Sequence, residues 1–262
     1  MNWIPPAPEP RKGTLMVLLE AQVLFFLAGV ALLTGFIKGG MPAMGPFVAT
    51  LVALIFPARE ALGVTVILFL IGDTAAVWLY WRLANWPELR KMLVPVIVGI
   101  VAGGVVLTHL DDRTLGLTIG IIILALVCLE PFRPRLSEWA LRHQDLARTS
   151  TGTLAGFATT ISNSAGPILN IYFLLLKLDK HAFIGTATMF FFFANVSKVP
   201  VFLFQGIFEA RYLPSIAVVA PLVYAGAFGG RRFLQWIPQL WFNRLVLLFT
   251  AAAAIWLIVA NA

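Results

Sequence analysis

Apolar stretches of about 20 residues recur from one end of this chain to the other, and nothing else in it restricts the fold as strongly. A segment alone in lipid must satisfy its own backbone hydrogen bonds, so each stretch is expected to be helical. The alternating dyad pattern of a membrane barrel is absent. Of 262 residues, 60% are hydrophobic and 12% charged, too few charges to cover a soluble domain of this length. No polar block is long enough to form a second domain. The expectation is one all-α integral membrane protein, in contact with the lipid bilayer along most of its length.

The apolar segments run over residues 14–36, 43–56, 61–81, 91–110, 115–130, 149–162, 165–178, 182–206, 213–232 and 241–260. Residues 1–13 are Pro-rich and read as a flexible tail. The run after Arg11 and Lys12 is too long for a signal-peptide core and has no small-residue cleavage pattern, so it reads as a retained first helix. The segments 43–56 and 165–178 have only 14 residues each. At a helical rise of 1.5 Å per residue they reach roughly 21 Å, short of a hydrocarbon core about 30 Å thick. They read as half-helices or arms of re-entrant hairpins.

These short segments occupy matching places. GFIKGGMPAMGP at 35–46 aligns with GFATTISNSAGP at 156–167, pairing Gly35, Phe36, Gly45 and Pro46 with Gly156, Phe157, Gly166 and Pro167 at one offset of 121 residues. The same offset relates Ala61 and Thr65 to Ala182 and Thr186, and Arg90 to Arg211. Further on the offset drifts, and Gly99 and Gly103 find counterparts in Gly226 and Gly230. Each of those pairs is a GxxxG spacing, which lets helix backbones approach closely in lipid. The reading is a first repeat over 14–130, a basic linker over 131–148 and a second repeat over 149–262, each repeat with about five helical segments and a broken half-helix pair.

An odd number of segments inserts the second repeat upside down. With the central linker in the cytoplasm, Arg82, Arg90, Lys91, Arg133, Arg135, Arg142, Arg148, Lys177, Lys180, Arg231 and Arg232 fall inside. Arg59, Arg113 and Arg211 fall outside, as do Arg11 and Lys12, which run against the rule. Inverted repeats with broken helices near the midplane are a common plan for secondary transporters. The net charge of +7 follows this topology and does not point to nucleic acid. One cysteine, Cys128, allows neither an intrachain disulfide nor a cysteine metal cluster. His109, His143 and His181 are dispersed without metal-ligand spacing, and no Walker loop, GxSxG or HExxH motif is present. The chain is therefore expected to be neither an enzyme nor an ATP-driven pump, and to need no cofactor.

Breaks inside a membrane are tolerated where they line a polar cavity. The half-helices after Pro42 and Ser164 would turn free N–H groups and positive dipole ends toward such a cavity, an arrangement that suits an anion. The first break adds Lys38, Gly39 and Gly40; the second adds Thr159, Thr160, Ser162, Asn163 and Ser164. Lys198 lies deep in FFFFANVSKVPVFLF, where a lysine is expensive and a functional candidate by default, and Asn195 shares its helix face. Asp73, in the middle of LFLIGDTAAVWLY, is either a coupling group for a proton or the partner of a lysine.

Together these runs resemble the sulfite exporter TauE/SafE family of membrane proteins. The resemblance rests on GFIKGGMPAMGP, PAREALGVT and NWPEL in the first half, and on GFATTISNSAGPIL, NVSKVPVFLFQGIFEARYL and GAFGGRRF in the second. The run Asn195, Lys198, Pro200 matches the family's second-half pattern most specifically. The second break departs from the family, with Thr159, Thr160, Ser162 and Asn163 in place of a denser glycine cluster. The resemblance implies transport of small anions, often sulfur oxyanions or organosulfonates, across a bacterial inner membrane. An anion channel and a non-transporting scaffold are the rival classes, and a homo-oligomer is compatible with either.

Overall fold

A computed structural model describes residues 12–41, 44–53, 55–109 and 142–238, with isolated positions between 121 and 138 and between 240 and 259. The segments 115–130 and 241–260, the N-terminal tail and most of the linker thus lie largely outside the described residues, as does Pro42.

Every regular element among the described residues is helical. In chain order the α-helices are α1 (Lys12–Gly40), α2 (Gly45–Ala53), α3 (Ala58–Tyr80), α4 (Trp86–Leu107), α5 (Gln144–Ser162), α6 (Ala165–Leu175), α7 (Lys180–Phe204) and α8 (Leu213–Trp236). Among the described residues, five stretches are long and apolar enough to cross a membrane: Val23–Gly40, Arg59–Leu83, Trp86–Leu107, Lys180–Phe204 and Ala210–Trp236. Their outward side chains are apolar too, with Phe25 84% and Phe204 95% exposed, as lipid-facing surfaces require. The two short helices stand where the short apolar segments do. α2 has 9 residues and α6 has 11, and Asn163 and Ser164 alone separate α6 from the helix before it.

Polar residues set the helix ends. The Asn85 side chain accepts from the Glu88 N–H at 3.2 Å, and a proline follows in the first turn of α4. Asp179 caps α7 by accepting from His181 and Ala182. Asn163 ends α5 in the left-handed conformation, φ 54°, which asparagine tolerates better than other non-glycine residues. α5 begins at Gln144, inside the stretch expected to be linker, because Arg148 is not a loop cation. It is buried, 3% exposed, and held by Glu88.

Glycine decides which helices meet. α1 packs against α8, and α4 packs against α5. A Cβ added at Gly35 would lie 1.8 Å from the Val223 carbonyl oxygen, and one at Gly226 would lie 2.1 Å from that of Leu32. At the other interface, a Cβ on Gly99 would lie 2.0 Å from the Thr153 oxygen and one on Gly156 would lie 2.2 Å from that of Val96. No side chain fits either contact, so both GxxxG pairs serve the close backbone approach expected of them. α3 and α7 pack against each other. One apolar core gathers α1, α2, α3 and α8, and a second is built largely from α4, α5, α6 and α7.

Candidate functional site

The polar residues of the apolar interior converge where the two cores meet. Phe69 belongs to one core and Phe191 to the other, and both line a small cavity with Lys38, Gly45, Pro46, Thr159, Asn163, Gly166 and Asn195. Its volume is about 10 Å³, room for one water-sized body. Gly45 and Gly166 stand in the first turns of the half-helices α2 and α6, so both N-termini reach this wall.

Lys38, in the last turn of α1, is 4% exposed. Its Nζ donates to Asp73 Oδ1 at 2.6 Å and lies over the rings of Phe69 and Phe191, 4.4 and 5.0 Å from their centroids. Gly72 makes room for it: a Cβ there would come within 2.9 Å of Lys38 Cγ. The second carboxylate oxygen, Asp73 Oδ2, accepts from Asn195 Nδ2 at 2.6 Å. Asp73 is fully buried, and both its oxygens are engaged. Of the two roles open to it, the geometry displays the lysine partner.

Lys198, also fully buried, is arranged differently. Its Nζ donates to Asn163 Oδ1 at 2.7 Å and to the carbonyl and hydroxyl oxygens of Thr159, each at 3.2 Å. All three acceptors are neutral. Among the described residues no carboxylate is within ion-pair distance of Lys198. With Lys38 and Asp73 paired, Lys198 is the lysine of the cluster left without a counter-charge among the described residues. A charge in a dry interior is costly without a counter-charge, so such a residue is held for what it does.

The remaining expected site residues lie elsewhere. Gly39 and Gly40 abut Ala227 and Gly230 of α8, and the Gly39 carbonyl accepts from the Tyr80 hydroxyl. Thr160 donates to the Gly156 carbonyl of its own helix and sits against Gly103 of α4. Ser162 turns back to the Ala158 carbonyl and Ser164 to that of Ser162. The structure therefore brings Lys38, Asp73, Thr159, Asn163, Asn195 and Lys198 together and leaves those five off the cavity wall. Phe69 and Phe191 carry no mark in the sequence that separates them from the other 19 phenylalanines. Gly45, Pro46 and Gly166 do carry one, since they belong to the matched breaks.

The family model described as Sulfite exporter TauE/SafE matches residues 27–257, which takes in the C-terminal part of α1 and all of α2 to α8. No curated protein and no solved structure matches the chain.

Proposed function

The chain belongs to the sulfite exporter TauE/SafE family, and from that premise we propose that it is a secondary exporter of small anions, sulfite or organosulfonates, across a bacterial inner membrane, with its central linker in the cytoplasm. The observation that carries the anion reading is Lys198, buried with neutral partners only. An anion beside it supplies the missing charge. The first-turn N–H groups of α2 and α6 add partial positive charge on the same wall, and the Lys38–Asp73 pair adds none.

Correspondence between the helices of the two halves supports a reading of two inverted repeats with alternating access. The 121-residue offset carries α1 onto α5 and α2 onto α6, and the order of helices then carries α3 onto α7 and α4 onto α8. Under that exchange the α1–α8 interface becomes the α5–α4 interface, and the same glycines close both. Lys38 becomes Thr159, and each of these reaches the middle of the third helix of its half, at Asp73 or at Lys198. Movement of one half against the other would open the site to each face in turn.

The test is sulfite flux in proteoliposomes, with lactate and chloride as controls. The expected result is saturable flux with counterflow, lost in Lys198→Ala while the variant stays folded. Continuous conductance would move the chain to the channel class, and retained flux in folded Lys198→Ala would remove that lysine from the site.

A further inference from the structure

Two amide groups in the cavity wall are each half used. Lysine is a donor only, so the amide atom of Asn163 facing Lys198 must be its oxygen. An ionised carboxylate is an acceptor only, so the amide atom of Asn195 facing Asp73 must be its nitrogen. Chemistry fixes both orientations. What remains is Asn163 Nδ2, a donor, and Asn195 Oδ1, an acceptor. Both are buried and have no hydrogen-bond partner among the described residues. Asn163 is 2% exposed and Asn195 1%, and both line the cavity.

Buried polar atoms left unanswered cost about 1–3 kcal/mol each, which marks them as meant for an occupant. A bare oxyanion would satisfy Asn163 Nδ2 and Lys198 but would turn only lone pairs toward Asn195 Oδ1. We infer that the site selects a monoanion that also carries a hydrogen-bond donor, such as a hydrogen-oxyanion or a hydroxyl-bearing sulfonate, with Asn163 reading its oxygen and Asn195 its donor hydrogen. This rests on the anion-transport reading above and narrows it: a lysine with neutral partners suits a single negative charge, and the free acceptor favours an anion with a proton to give over one without.

The decisive probes are 2-hydroxyethanesulfonate and its isostere 1-propanesulfonate. Both are monoanions at any accessible pH and differ by a hydroxyl against a methyl. The readout is ligand-dependent thermal stabilisation of the purified full chain in detergent, which needs no transport. The hydroxyl compound is expected to stabilise at concentrations about tenfold lower than the methyl compound. Asn195→Leu should erase that difference, and if this variant does not fold, the wild-type pair alone decides. Equal midpoints, a preference for the methyl compound, or stabilisation by neither overturns the inference. A folded Asn195→Leu that keeps the preference overturns the role of Asn195. Failure of the broader reading would show separately, as absent sulfite flux.

Discussion

The two breaks are related by a constant offset, yet they are charged by opposite means. At the first, the lysine belongs to the break itself and is cancelled by Asp73 from α3. At the second, the break offers only a hydroxyl, a carbonyl and an amide, and the lysine comes from α7. One half of the molecule thus supplies a neutralised pair that holds its helices in place, and the other supplies a charge left for something else. On the function proposed above, the two halves keep one frame and divide structural and binding work between them.

The sharpest way to separate those roles is to neutralise each side. Asp73→Asn strands Lys38 in a dry interior and should cost about 3 kcal/mol or more, read as a lower unfolding midpoint in detergent. Lys198→Met removes a charge with no carboxylate partner and should leave the midpoint unchanged or raise it, while abolishing sulfite flux. A larger stability loss in Lys198→Met than in Asp73→Asn would reverse the assignment of pair and spare charge.

The frame was more legible in the sequence than the site. Hydropathy alone located all eight described helices, because lipid permits little else. The glycine contacts were visible because glycine cannot be replaced where backbones touch, as at Gly35 and Gly156. Lys198 stood out because a lysine among phenylalanines has no cheap explanation. A lysine partner was one of two roles open to Asp73, but which lysine could not be seen, since the pair joins side chains 35 residues apart on different helices and depends on the room left by Gly72. Thr160, Ser162 and Ser164 looked like Thr159 and Asn163 in the sequence. Whether a hydroxyl on a helix faces a cavity or bonds back to its own turn depends on rotation about the axis, and α5 turns Thr160 and Ser162 away, while Ser164, in the break, bonds back to the Ser162 carbonyl.

The likeness between the halves can be broken at the glycines. Gly35→Ala and Gly156→Ala would each push a Cβ into a carbonyl of the facing helix, at 1.8 and 2.2 Å. Each should cost about 2 kcal/mol, and the two by similar amounts, because the α1–α8 and α4–α5 contacts are built alike. A midpoint shift in one variant and none in the other would show that the two interfaces are not equivalents.

A finer contrast lies in two Glu–Arg–Tyr clusters that tie the halves together, one at the start of α4 and one at the start of α3. Glu88 takes Arg148 through Nε at 2.7 Å and Nη2 at 3.1 Å, and the Tyr172 hydroxyl at 2.6 Å; Arg148 also meets Asp145. Glu60 takes Arg211 at 2.5 Å and the Tyr212 hydroxyl. The chemistry is the same, but the Arg148 side chain is 4% exposed and that of Arg211 is 59%. Water and salt screen the second pair and hardly reach the first. Glu88→Gln should therefore cost about 1.5 kcal/mol at any ionic strength, with Asp145 left to hold Arg148. Glu60→Gln should cost less than about 1 kcal/mol, and that loss should fade as salt is raised. Equal losses, or a salt-dependent loss at Glu88, would mean that solvent reaches both clusters alike and that burial does not set their difference.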